Sequence, residues 1–135
     1  MAVFDNAEDA KKYFEGDRYA ALTGAKLDDL TGTTSQCSLV LTDDHKNANG
    51  GIMGGVIFTL ADLAFAALAN NLHLPTVAQQ VSINYLAMPK GDKLIARGSI
   101  VRNGRTTCVL QIEVTDDLGT DVALFTGTGY KLSQK

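Results

Sequence analysis

The chain has 135 residues, 45% hydrophobic and 20% charged, with 12 basic against 15 acidic side chains and a formal net charge of −3. That length fits one domain, residues 1–135, whose core needs no disulfide or metal, and the negative balance repels rather than attracts a nucleic-acid backbone. Acids in the opening stretch MAVFDNAEDAKK, and Asp62 inside the longest apolar run, leave no targeting or membrane-spanning segment to read, so a cytoplasmic protein is expected. In chain order, Asn6 can accept the free amide hydrogens of the following turn. Ala10, Tyr13 and Phe14 then give a short helix over about residues 6–15 an apolar side, and Gly16 ends it. From Gly24 the pattern becomes strand-like. Residues 25–30 and 33–41 read as a hairpin turning at Thr31-Gly32, with Cys37, Leu39 and Leu41 on one face. Cys37 and Cys108 lie far apart without metal-ligand spacing, so buried reduced thiols are expected.

Residues 43–51 are polar and glycine-rich, hence a loop, and Gly54-Gly55 opens a helix over 56–70 rich in Ala and Leu. Asn70-Asn71 ends it, with Pro75 just beyond. Ile57, Leu60, Ala61, Ala64 and Leu68 form one stripe, but Val56, Phe58, Leu63 and Phe65 cover the rest. A helix apolar nearly all round has to be enclosed by other elements. The second half supplies the enclosure. Residues 76–88 alternate Val77, Val81, Ile83 and Tyr85 against Gln80, Ser82 and Asn84, a half-buried strand. Strands over 94–102 and 106–115 join through Asn103-Gly104, both of which accept positive φ. Asp117-Leu118-Gly119 turns into 120–132, with Val122, Leu124, Thr126, Thr128 and Tyr130 in register. The sum is an α+β roll, one long helix wrapped by a curved antiparallel sheet whose edge strands are open to pairing with another copy.

One residue stands out against this frame. Asp62 is the only Asp, Glu, Lys or Arg between Lys46 and Lys90. The run Asn47-x-x-Gly50-x-x-Met53-Gly54-Gly55, followed by Leu60-Ala61-Asp62, resembles the hotdog-fold acyl-CoA thioesterases of the phenylacetic-acid-degradation type. Pro89-x-Gly91-Asp92 and Asn103-Gly104-Arg105 extend the likeness over nearly the whole chain. One position departs from that pattern, because Met53 stands where the family carries histidine. The resemblance implies a hotdog fold, dimers that often pair into tetramers, and an active site across the dimer interface, with Asn47 and Gly54 of one subunit facing Asp62 of the other. It implies an acyl-CoA substrate, aryl or medium-chain, and no cofactor or metal.

The residues suit that chemistry. Thioester hydrolysis needs a base or nucleophile and donors aimed at the oxygen that gains charge. Asp62 is ionised at neutral pH and made more basic by partial burial. Gly54 and Gly55 open a helix whose first N–H groups lack intrahelical partners, and Asn47 adds a side-chain amide. Met53, Gly55, Gln80 and Ser82 are candidate substrate contacts, and Arg105, beside Arg102, suits the phosphates of CoA. Each has a plainer reading: Asp62 as a packing ion partner, Asn47 as an Asx turn, the arginines as a solvated hairpin tip. His45 and His73 read as surface residues. The rival from another class is a non-catalytic acyl-CoA-binding or scaffold protein, which the loss of histidine at Met53 favours. A hydratase is less well matched, since the sequence does not resemble the Asp and His motif of hotdog hydratases.

Overall fold

The computed structural model describes residues 2–133. Helix α1 (Ala7–Phe14) begins where Asn6 Oδ1 accepts the Asp9 N–H at 2.9 Å. A second helix follows that the sequence reading passes over, α2 (Arg18–Thr23). Asp17 caps it by accepting from Ala20 N at 3.4 Å, and Gly24 closes it at φ +91°. Six residues are too few to show an apolar period, so only these end signals mark it.

Strands β1 (Lys26–Leu30) and β2 (Thr34–Val40) make the first hairpin, and a 3₁₀ turn at Asp43–His45 interrupts the next loop. The long helix α3 (Gly54–Leu72) then leads into β3 (Thr76–Tyr85), β4 (Lys93–Asn103), β5 (Thr107–Asp116) and β6 (Asp121–Lys131). The six strands form one antiparallel sheet in the order β1-β2-β4-β5-β6-β3, and α3 packs against all of them. This is the wrapped-helix α+β architecture expected. By length and composition alone α3 could cross a membrane, but eleven of its nineteen residues are buried inside the protein.

Three local expectations fail for identifiable reasons. Asn70 and Asn71 do not end α3; both are buried and bonded outward. Asn71 Nδ2 donates to Thr31 O at 3.0 Å while its Oδ1 accepts from Phe4 N at 3.0 Å, which ties the N-terminal segment and the first hairpin to the helix. On β3 a bulge at Gln79 shifts the alternation, so Val77 lies on the opposite face from Val81, Ile83 and Tyr85. Most of this strand is exposed rather than half-buried, since β3 is the sheet edge. The β4–β5 hairpin exists, but neither Asn103 nor Gly104 has positive φ. Asn103 still pairs with Cys108, Gly104 N donates to Thr107 O at 2.8 Å, and the reversal falls on Arg105-Thr106.

In β6, Leu124, Thr126, Thr128 and Tyr130 share one face, as the alternation expects. Phe125 and Gly127 face α3, while Thr126, Thr128 and Tyr130 point away. Phe65 lies across this strand, 6.0 Å from Phe125 between ring centroids, and a Cβ on Gly127 would come within 2.8 Å of the Phe65 ring. Both rings are buried and cannot swing aside. Gly127→Ala is therefore expected to lose about 1–3 kcal/mol of stability by overpacking, read from the midpoint of urea unfolding. Both cysteines are free and buried, and burial pushes the Cys37 thiol far above its ordinary value, with the charge of Asp28 adding to the rise.

Candidate active site

The loop before α3 is built around Asn47. Its Oδ1 accepts from Asn49 N at 2.9 Å and Gly51 N at 3.2 Å, its backbone N–H donates to Gly51 O at 2.7 Å, and Gly50 turns at φ +83°. The oxygen is thus committed to an Asx-type turn, whereas the Nδ2 amide has no hydrogen-bond partner among the described residues.

His45 supports the loop from below, not from the surface as its polar surroundings suggest. It is buried, its Nδ1 accepts from Thr42 N at 3.0 Å, and its Nε2 meets Thr23 O at 2.7 Å. Both ring nitrogens are thus occupied within the chain. His45 O also accepts the Met53 N–H at 2.9 Å. Met53 is the N-cap of α3 with extended backbone, its thioether half exposed and making no capping hydrogen bond. The loop therefore meets the helix through backbone bonds and packing. His73 Nε2, at the far end of α3, meets Leu132 O at 2.8 Å.

Gly54 and Gly55 open α3, and neither N–H has a partner among the described residues. Free N–H groups at the positive end of a nineteen-residue helix make a site for developing negative charge. Above them lies Tyr85, which sequence reasoning assigned only to a strand face. Its hydroxyl donates to Gly54 O at 3.1 Å, and a Cβ on Gly54 would stand 3.1 Å from its ring. Glycine is what lets the phenol and the helix start meet. The alternation with Val81 and Ile83 places Tyr85 on the inner face, but only the length and register of β3 bring it to Gly54.

Asp62 lies farther along the same helix. It is partly buried and makes no hydrogen bond or ion pair among the described residues. Burial pushes its carboxyl above the usual range, and the negative charge of Asp17, at the start of α2, pushes in the same direction. Sequence reasoning missed Asp17 because it missed α2. Asp62 stands eight residues after Gly54, about 12 Å along the helix axis at the usual rise, so one chain does not bring the carboxylate and the helix-start amides together.

The remaining candidates scatter. Gln80 and Ser82 lie on the exposed face of β3, where Gln80 Nε2 donates to Ser82 Oγ at 3.1 Å. Arg105 sits at the tip of the β4–β5 hairpin. That tip adjoins Lys131, which pairs with Thr76, so it lies at the opposite end of β3 from Tyr85 and Gly54. No group of three or more His, Cys, Asp or Glu side chains suited to holding a metal occurs among the described residues.

Residues 49–123, which contain Gly54, Gly55, Asp62 and all of β3 and β4, match the model of the thioesterase superfamily. The chain belongs to the thioesterase superfamily. It is a thioester hydrolase with the hotdog fold. The acyl-coenzyme A thioesterase PaaI of Escherichia coli is 29% identical over 93% of this chain and 90% of its own. The structure of that protein, from the phenylacetic acid degradation operon, superposes with a TM-score of 0.88 and 26% identity over 95% of this chain and 94% of its own. The TT0310 protein of Thermus thermophilus gives 0.81 at 32% identity, covering 86% of this chain and 98% of its own. A hypothetical thioesterase of Streptococcus pneumoniae, solved with coenzyme A, gives 0.80 at 28% identity over 90% and 98%. The hotdog thioesterase pattern noted in the sequence and the architecture built from it therefore agree.

Proposed function

We propose that this hotdog thioesterase hydrolyses acyl-CoA esters, aryl or medium-chain, to the free acid and CoA, in the cytoplasm and without a cofactor. The observation that carries the reading is a half-buried carboxylate, Asp62, on the same helix as two free N–H groups at its start, none of them with a partner among the described residues. The PaaI enzyme and the coenzyme A complex among the relatives support CoA as the acyl carrier.

The chemistry assigns each group a task. Ionised Asp62 accepts a proton from water as the water oxygen attacks the thioester carbonyl, or attacks that carbonyl itself. The carbonyl oxygen gains negative charge toward the Gly54 N–H and the Asn47 amide, the C–S bond breaks, and the thiolate of CoA leaves and is protonated; where Asp62 is the nucleophile, water then cleaves the mixed anhydride, releasing the acid and restoring the carboxylate. With the two halves about 12 Å apart along one helix, they act on one thioester only when a second copy supplies the other half. The exposed edge β3 suits such a pairing. An antiparallel β3–β3 contact about a two-fold axis reverses one α3 against the other, which turns Asp62 of one copy back toward the helix start of its mate. A dimer, or a dimer of dimers, is the assembly proposed.

The second reading is a non-catalytic acyl-CoA-binding protein, favoured by Met53, whose thioether offers the helix start no hydrogen bond. Thiol release from a panel of aryl and linear acyl-CoA esters separates the two. Turnover supports the thioesterase, whereas thermal stabilisation by CoA esters without release selects the binding protein.

A further inference from the structure

Helix α3 starts on the two residues least able to hold a backbone in place. Gly54 and Gly55 are its first two positions, and glycine has more φ and ψ freedom to lose than any other residue. A side-chain cap ordinarily restrains such a start, but Met53 at the N-cap makes no side-chain hydrogen bond. The backbone supplies two restraints nearby, Met53 N–H to His45 O at 2.9 Å and Val56 N–H to Met53 O at 3.0 Å. Neither touches the peptide between Gly54 and Gly55.

Among the described residues, one side chain bonds that peptide. It is Tyr85, whose hydroxyl donates to Gly54 O at 3.1 Å, and it reaches there from a fixed base. Its backbone pairs with Ala123 of β6, and the next two N–H groups, of Leu86 and Ala87, both donate to Val122 O, at 2.8 and 3.3 Å. A Cβ on Gly54 would stand 3.1 Å from the ring Cζ and 3.3 Å from the hydroxyl oxygen, so the phenol is seated against the helix start itself. Farther along, Met88 packs on the Asn47 loop, where a Cβ on Gly51 would meet its methyl group. Residues 85–88 thus brace both parts of the site that offer hydrogen-bond donors.

An O–H bonded to a carbonyl polarises the amide and makes the N–H of the same peptide a stronger donor. The carbonyl of Gly54 and the N–H of Gly55 belong to one peptide, and that N–H has no partner among the described residues. We propose that Tyr85 is a positioning residue for thioester hydrolysis: its hydroxyl clamps the Gly54–Gly55 peptide, so that the Gly55 N–H joins that of Gly54 in holding the thioester oxygen as it gains charge. The proposal rests on the thioesterase reading. In this role Tyr85 acts through the peptide rather than on the substrate. It removes the freedom of two glycines in advance, which matters most where donors have to be in place before charge develops.

The test uses the full chain with phenylacetyl-CoA and hexanoyl-CoA, in wild type, Tyr85→Phe, Gly54→Ala and the double variant. Tyr85→Phe keeps the ring and removes only the hydroxyl. It is expected to lower kcat about three- to tenfold, with KM within about twofold of wild type and the fold intact. In Gly54→Ala the added methyl group forces the phenol back by a few tenths of an ångström and lengthens its bond, so Tyr85→Phe costs a smaller factor there. The Gly55 amide supplies a signature that packing alone would not move. Its nitrogen and proton NMR signals shift upfield in Tyr85→Phe as the carbonyl loses its donor. Unchanged kcat in Tyr85→Phe, an equal or larger loss in the Gly54→Ala background, or a Gly55 amide that does not move would each overturn the proposal. A rise in KM at constant kcat would overturn it too, by making the hydroxyl a substrate contact. Absence of wild-type turnover with every ester would instead remove the thioesterase reading. The clamp is then decided by the Gly55 signals alone, whose movement in Tyr85→Phe supports it and whose constancy refutes it.

Discussion

Asp62→Ala is expected to lower kcat for thioester hydrolysis by about 10²–10⁴-fold while the protein stays folded and assembled, because the variant loses the carboxylate that activates the attack on the thioester. Thiol release under single-turnover conditions checks this, with gel filtration as the control for assembly. The pH profile carries a second expectation. Burial, with the charge of Asp17, holds the Asp62 carboxyl above its ordinary value, so the acid limb of the rate profile falls at higher pH than an unperturbed Asp at about 3.9 would give. The same shift acts on stability with a definite sign. The folded state binds this proton more tightly than the unfolded state, so ionisation of Asp62 costs stability as pH rises from about 3.9 through the folded value, and the cost is complete above it. Asp62→Asn should therefore melt higher than wild type at neutral pH, with the gain vanishing in acid. A variant that is both inactive and more stable marks a carboxylate kept for chemistry. An Asp62 that merely fixes packing would show the opposite, a loss of stability with activity retained.

The architecture was legible because period and punctuation agree along most of the chain. Asn6 marked α1, the all-round apolar character of the segment around Leu60 and Leu68 required an enclosing sheet, and alternation marked the strands. What stayed hidden depends on contacts between distant residues. Asn70 and Asn71 look like helix terminators in isolation, and only their bonds to Thr76, Thr31 and Phe4 show why α3 continues to Leu72. The bulge at Gln79 has no local signature, yet it decides which face of β3 Val77 occupies. At the site, Asp62 and the paired glycines could be singled out from spacing. Tyr85 over Gly54 and Asp17 beside Asp62 could not, because each is brought in by an element whose position is set by the fold. His45 misled for the same reason: a polar sequence neighbourhood concealed a buried staple between the 3₁₀ turn and α2.

A second carboxylate, Asp116, should show the reverse linkage and the largest loss of stability. Asp116 ends β5 and is almost fully buried. Its Oδ2 accepts the N–H groups of Lys90 and Gly91 at 2.8 and 2.9 Å, and its Oδ1 those of Leu118 and Thr120 at 3.0 and 2.8 Å. One side chain thus satisfies four amides in two loops, the turn into β4 and the turn between β5 and β6. Burial alone would push this carboxyl up, but the donors from Thr120, Lys90 and Gly91 outweigh it and hold the group well below the ordinary carboxylate range. Here the folded state binds the proton more weakly than the unfolded state. The contribution to stability is fully present above about 3.9 and is lost as pH falls through the lowered folded value. Asp116→Asn replaces one accepting oxygen by a donor that faces two N–H groups, and Asp116→Ala leaves all four without a partner. Melting at neutral pH should fall by about 5–15 °C, more for alanine than for asparagine, and the difference from wild type should narrow as the buffer is acidified. Asp116 bonds to neither Gly54 nor Asp62, so kcat of the variant measured well below its melting point should match wild type. A fall in kcat without a fall in melting temperature would show instead that these loops reach the site.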